Sequence, residues 1–328
     1  MRMLTLATLG GLVAMNLPLP SPAAVANLPV GTMTQPATGL SVMTYNVEGL
    51  PFPAAFGRAE KLAEIGKRLA DLRRGAQQPD VILLQEAFIP EAKAIAAAAG
   101  YTHVAIGPRV SDAAPGTDNA FSADASWLKG ERVGKWVDSG LVILSDYPIV
   151  QTRRMAFPDD MCAGYDCLAA KGVLLTWIKV PGRERPIAIA DTHLNSRGAS
   201  GVAIERANTA YARQVATLRD FIRANVSPQS DLVFGGDFNI GHDRQRIAQE
   251  AADGGIVNAG NEATKSAVIA GGRDAVPVAI ITRGKDKQYF RAGTSSSFTL
   301  RNIRVPFATP QSGSTLSDHL GYVADYQF

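Results

Sequence analysis

Five short stretches of this sequence end an apolar run on a side chain able to hold a metal or move a proton. They are "MTYNVEGLP" with Asn46, "ILLQEAF" with Glu86, "IADTHLNS" with His193, "VFGGDFNIG" with Asp237 and Asn239, and "STLSDHLGY" with Asp318 and His319. A charge at the end of a buried strand is costly unless it is paired, hydrogen-bonded or metal-bound. Each residue has a plain alternative taken singly: Asn46 in a turn, Glu86 at a helix start, a histidine as a satisfied core side chain. Five such placements in one chain argue instead for a shared site. The spacing of Asp237 and Asn239 points the same way, since residues two apart at a strand end face one direction.

The residue types agree on a chemistry. Asn, Glu and Asp are hard oxygen ligands suited to magnesium or another divalent ion such as manganese. Such an ion neutralises phosphate oxygens during an in-line displacement. An imidazole titrates near working pH, so His319 is the expected base toward water, and His193 the expected donor to a phosphate oxygen. The sequence holds no Gly-x-Ser-x-Gly elbow, Walker loop or dinucleotide fingerprint as a rival centre.

A strand-and-helix alternation must position these groups. Strands are expected at 40–47, 79–88, 102–106, 140–144, 172–180, 186–192, 231–236, 277–282 and 320–327. Helices are expected at 58–74, where Leu62, Ile65 and Leu69 repeat at helical spacing, at 91–100, and at about 202–225. The Gly/Ser/Asp-rich stretch 107–139, with Trp127 and Trp136, reads as a long surface excursion. No repeat, heptad or linker divides the chain.

Residues 1–26 carry Arg2, an apolar run and a small-residue "AAVA", the pattern of a secretory signal peptide. The run is shorter than the roughly 20 residues that span a bilayer. The expectation is a secreted or periplasmic protein with a flexible leader at 27–39 and one catalytic domain at 40–328. A net charge of +3 on 328 residues neither demands nor excludes nucleic acid. The only cysteines, Cys162 and Cys167, are too few for a zinc site and suit a loop-closing disulfide in an oxidising compartment.

The motifs "YNVEGL", "LLQEAF", "DTHLNS", "GGDFNIG" and "SDHLGY", in this order over 41–328, resemble the endonuclease/exonuclease/phosphatase superfamily. The resemblance implies a deoxyribonuclease I-like, four-layer α/β/β/α sandwich of two packed mixed sheets flanked by helices. It implies a metal held by Asn46 and Glu86, with Asp318 beside them. It also implies water positioned by Asp237, phosphate oriented by Asn239 and stabilised by His193, and an acid/base end at Asp318 and His319. Many relatives orient the second histidine with an acid in the penultimate strand. The matching stretch here, "VPVAIITRG", has none, and Asp274 lies several residues earlier.

"AGYDCLAAKGVLLTWIKV" is similar to the neutral sphingomyelinase segment in which Asp and Lys, here Asp166 and Lys171, arrange the site over a lipid head group. A solvated lysine at a strand start is the alternative for Lys171. The implied function is that of a sphingomyelinase C, cleaving sphingomyelin to ceramide and phosphocholine at a membrane surface, with no obligate protein partner. The alternative is a secreted nuclease acting on nucleic acid, with Arg153, Arg154, Arg197 and Lys171 as cleft cations. A third reading is a non-catalytic binding module, which would lack catalytic residues. Relatives that attack membranes often carry an aromatic-tipped hairpin. Tyr289, Phe290 and Phe307 are the candidates for one here, with Trp127 and Trp136 as other contacts unless they are partly buried.

Overall fold

The computed structural model describes residues 37–252, 261–307 and 315–328. The expected signal peptide, and most of the leader, lie outside them. Twelve strands are described: β1 (Gly39–Gly49), β2 (Val81–Ala87), β3 (His103–Ile106), β4 (Val142–Ser145), β5 (Ile149–Ala156), β6 (Gly172–Ile178), β7 (Ile187–His193), β8 (Leu232–Asp237), β9 (Asn261–Glu262), β10 (Asp286–Arg291), β11 (Thr299–Arg304) and β12 (Tyr322–Gln327). They form two mixed six-stranded sheets, ordered β11-β12-β1-β2-β4-β3 and β5-β6-β7-β8-β10-β9. Each sheet has one parallel pair at its heart, β1 with β2 and β7 with β8. The last residue of the expected leader, Gly39, already pairs with Gln327.

Period-two alternation builds the layers. Leu40, Val42, Leu83 and Ile143 of the first sheet meet Leu174, Ile189, Val233 and Phe290 of the second in an apolar core between the sheets. The opposite face of the first sheet, with Met43, Tyr45, Ile82 and Leu84, packs on helices α1 (Arg58–Arg74), α2 (Pro90–Lys93) and α3 (Ile95–Ala99). Leu62, Ile65 and Leu69 supply the α1 stripe, as their spacing predicted. The outer face of the second sheet carries Leu175, Ala190 and Phe234. It is covered by the Tyr211, Val215, Leu218 and Ile222 stripe of α5 (Ile204–Asn225).

The sequence misleads at 277–282. That apolar run is not a strand but the short helix α8 (Val278–Arg283), bounded by Pro277 and by Gly284 at φ 57°. Proline just before a helix and a left-handed glycine after it are start and stop signals that outrank a short apolar run. The strand lies further on, as β10. Strands β5 and β11 also escaped the sequence reading. Their burial patterns are mostly exposed, so neither makes a long apolar run.

The 107–139 excursion holds one short α-helix, α4 (Ala120–Ala123), and two 3₁₀ turns, and is fastened down. Arg206 of α5 pairs with Glu131, and Arg206 and Arg213 both lie over the Phe121 ring. The remaining helices are α6 (Arg244–Ala252) and α7 (Ala263–Gly271). Among the described residues no helix is long and apolar enough to cross a membrane.

Candidate active site

The alternation that fills the core also delivers the site. Leu40 and Val42 face the second sheet, so Asn46 at the end of β1 does too. By the same count Ile187 and Ile189 lead to His193, Val233 leads to Asp237, and Phe290 leads back to Asp286. Antiparallel pairing sets Asp286 directly opposite Asp237. Glu86 would point outward on this count, but its φ of 55° breaks the alternation, and its carboxylate accepts from Asn46. Gly236 has φ 143°, and a Cβ there would lie 2.0 Å from the Thr192 carbonyl oxygen. A side chain would therefore force β7 and β8 apart just where His193 and Asp237 align.

Asp237 is the hub. Its Oδ2 accepts from the Asn46 amide at 3.1 Å and faces His193 Nε2 at 3.6 Å and His319 Nε2 at 3.7 Å. Its Oδ1 accepts from the Asn239 backbone N–H at 2.9 Å. Asn239, itself left-handed at φ 51°, donates from its side chain to the Leu194 carbonyl. The Asn46 amide also donates to Glu86 at 3.0 Å, so one amide bridges two carboxylates. Asn46, Glu86, His193, Asp237, Asn239 and His319 thus come together.

Asp286 answers the question of which group orients His319. Its carboxylate accepts from His319 Nδ1 at 2.8 Å, leaving Nε2 turned toward Asp237. The acid absent from "VPVAIITRG" begins the next strand. It was hidden because Lys285 and Lys287 flank it and the helix ahead mimics a strand; the signal was the alternation of Asp286, Gln288 and Phe290. Asp274 lies in a separate turn. Asp318 does not join the cluster. Its side chain is 60% exposed, 3.9 Å from both His319 Nε2 and Arg283.

The environment separates the two imidazoles. Burial, reinforced by the Lys171 ammonium, pushes His193 down to about 3, so it is neutral, and its Nδ1 is buried without a hydrogen-bond partner. Burial also opposes charge on His319, but the Asp286 and Asp237 carboxylates outweigh it and raise it to about 9. Asp237 is held down at about 2: burial opposes its charge, and the facing imidazoles, with His319 the one that keeps its proton, prevail. Burial pushes Glu86 up to about 7.

That last shift tests whether a divalent cation fits. Glu86 is a half-buried carboxylate whose charge lacks compensation, close to the Asp237 carboxylate and the Asn46 amide. Hard oxygen donors short of positive charge suit magnesium or manganese, and Asn46, Glu86 and Asp237 are the residues that would hold it. Asp237, Asp286 and His319 also converge closely enough to share an ion. Since Asp286 occupies His319 Nδ1, a proton-transfer pair is the better account of those two.

Lys171 is not solvated. It is buried, ion-paired with Asp166, and donates to the Leu194 carbonyl at 3.2 Å. Asp166 in turn accepts from the Ser196 backbone and hydroxyl. Cys162 and Cys167 are joined in a disulfide, Cα–Cα 5.1 Å, around this segment. Of the other expected cleft cations, Arg153 is bound to Asn225, Arg154 to Asp112 and Arg197 to Asp243. Tyr289, Phe290 and Phe307 are all buried and offer no hairpin tip. Trp127 and Trp136 are exposed rather than partly buried.

Two arginines lock the loops around the site. Arg246, fully buried, donates to the carbonyls of Asn195 and Asn239 and to the Asn208 side chain, and its guanidinium lies over the Tyr211 ring. Arg58 donates to the carbonyls of Val47, Glu48 and Leu316, tying the end of β1 to the loop that carries His319. Neither was legible beforehand, because a helix-start arginine reads as a surface charge.

Comparison with known proteins bears on the family and the fold. The model of the Endonuclease/Exonuclease/phosphatase family matches residues 43–319. A sphingomyelinase of Mycobacterium tuberculosis is 25% identical over 313 residues, 93% of this chain and 55% of that protein, so the chain spans about half the length of this relative. A mutant beta toxin from Staphylococcus aureus, with bound magnesium ions, superposes with a TM-score of 0.60 at 18% identity, covering 88% of this chain and 99% of that one. D. rerio TDP2, complexed with single-strand DNA product, gives 0.57 at 16% identity, covering 89% and 100%. At such identities the structural likenesses establish the fold alone.

Proposed function

The chain belongs to the Endonuclease/Exonuclease/phosphatase family, and on that premise we propose that it is an exported, magnesium-dependent phosphodiesterase that releases the head group of a phospholipid, in the manner of a sphingomyelinase C. The observation that carries the phosphodiesterase reading is the convergence of two differently protonated imidazoles on Asp237, with Asn46 and Glu86 alongside. The lipid branch is supported by the sphingomyelinase relative, which matches 93% of this chain. It is also supported by the buried Asp166–Lys171 pair, whose lysine bonds the carbonyl next to His193.

Asn46, Glu86 and Asp237 would hold a divalent ion, which when bound would supply charge neutralisation at the phosphate oxygens. The protein's own residues account for the proton movements. Asp237 accepts a hydrogen bond from the attacking water and aims it. Neutral His193 takes the water's proton as its oxygen bonds phosphorus. Protonated His319, fixed by Asp286, gives its Nε2 proton to the leaving oxygen as the ester P–O bond breaks. Groups pushed apart in pKa by their surroundings mark the base and the acid. This reverses the roles expected from sequence, where His319 was the base. Sphingomyelin and water would yield ceramide and phosphocholine.

The test is hydrolysis of sphingomyelin and of plasmid DNA side by side, each with magnesium, with a chelator, and with the His319→Ala variant. Head-group release that needs both magnesium and His319, with DNA intact, is the expected result. DNA cleavage with those dependences would move the chain to the nuclease branch.

A further inference from the structure

Asp318 stands outside the catalytic cluster, and the cation beside it is only loosely engaged. Arg283, the last residue of α8, brings Nη2 to 3.9 Å from Asp318 Oδ2, too long for a hydrogen bond. Its Nε is buried with no hydrogen-bond partner among the described residues. A buried donor left unpaired costs roughly 1–3 kcal/mol, and more when it is charged, so its presence calls for an explanation. A structural ion pair would close to hydrogen-bond distance, as Arg304 does with Asp325 at 2.7 and 2.9 Å. A solvated cation at a helix C-terminus would not enclose its Nε.

The turn that carries Arg283 is stitched to the catalytic loop. The Gly241 N–H donates to the Gly284 carbonyl at 3.1 Å and the Phe238 N–H to that of Lys285 at 3.0 Å, which ties residues 283–285 to the segment bearing Asp237 and Asn239. Lys285 has no ion pair among the described residues. Burial opposes the charge on Asp237; the facing imidazoles, the Asn46 amide and finally the Lys285 ammonium sustain it. Asp318 Oδ2 is also 3.9 Å from His319 Nε2, so that nitrogen and Arg283 Nη2 are separated by no more than twice this distance. One phosphoryl group, with a charge-assisted hydrogen bond on either side, bridges such a gap. In-line displacement builds charge on the phosphate oxygens, and a guanidinium fork is suited to receive it. We propose that Arg283, backed by Lys285, is a catalytic residue: its guanidinium leaves Asp318 and donates to a non-bridging oxygen of the scissile phosphate while His319 protonates the leaving oxygen. The inference rests on the phosphodiesterase reading and adds to it a donor that no motif marked.

The experiment follows hydrolysis of bis(para-nitrophenyl) phosphate with magnesium by Arg283→Gln, Arg283→Lys and Lys285→Gln. Arg301→Gln, at an exposed position of the edge strand β11, is the control for loss of charge. Arg283→Gln is expected to lower kcat about 10²-fold with KM changed far less, the scale of removing one oxyanion donor. Arg283→Lys should recover part of that loss, since it restores the charge without the fork. Lys285→Gln should cost less than Arg283→Gln, and the control nothing. The alkaline limb should not move to lower pH, because the bond from His319 to Asp286 is untouched. Calorimetry with inorganic phosphate and magnesium gives a readout independent of turnover, and Arg283→Gln should weaken that binding about tenfold. Native turnover and phosphate affinity in Arg283→Gln, or an equal loss in the control, would overturn the proposal. So would slower turnover with phosphate affinity intact and a lowered unfolding temperature, which would make Arg283 structural. If the native chain cleaves no phosphodiester, the functional reading fails, while the phosphate titration still decides the subsite.

Discussion

Asp286 and His319 show how one hydrogen bond sets the state of a catalytic group. Because the carboxylate holds Nδ1, His319 keeps its proton to about 9, and activity that needs a protonated acid falls as pH rises through that value. Asp286→Asn removes the raising charge, so the alkaline limb of kcat/KM should move to lower pH and kcat should drop by about 10²-fold or more. An unmoved alkaline limb would refute His319 as the acid; movement of the acidic limb instead would make it the base. Asp191 offers a second residue-level test. It is buried between the sheets, accepts from Gln85 at 2.7 Å, and burial raises its pKa well above the usual range, so its environment opposes the charged form. A raised carboxyl contributes stability that is present below the unfolded value and lost as pH rises toward the folded one. Asp191→Asn should therefore melt higher than the native chain at neutral pH, the two converging near pH ~4. A variant less stable at pH 7 would mean that Asp191 is ionised and paired.

At the scale of elements, the strands that end in functional groups were readable because apolar alternation and the polar terminus lie in one window. The loop between α8 and β10 was not, since a short apolar run carries no period long enough to tell helix from strand. Asp286 went unseen for that reason, and the group that orients His319 stayed open. Arg58 makes a related point: its value lies in the carbonyls of Val47 and Glu48 and that of the distant Leu316, a meeting which no local pattern encodes. Arg58→Met should free the loop holding His319 and leave Glu48 without its ion partner. We expect a loss of roughly 2 kcal/mol in urea unfolding, the scale of leaving buried carbonyls without their charged donor. The fall in kcat should exceed the change in KM. Unchanged unfolding and turnover would show that the β1 end and the His319 loop hold together without it.

For the molecule as a whole, the sandwich sets two parallel pairs, β1–β2 and β7–β8, face to face across one core, so four strand termini converge where no single segment of the chain could build a site. That convergence follows from sheet packing. The sequence showed which residues were polar at strand ends; only the packed sheets show which of them meet. The central claim is that this junction binds a divalent ion and uses it to hydrolyse a phosphodiester. The most direct test is the rate of bis(para-nitrophenyl) phosphate hydrolysis by the native chain and by Glu86→Gln across a magnesium titration. The account predicts activity that rises with magnesium, vanishes with chelator, and in Glu86→Gln is lower by about 10²-fold or needs far more metal. Turnover indifferent to both the chelator and the substitution would contradict it.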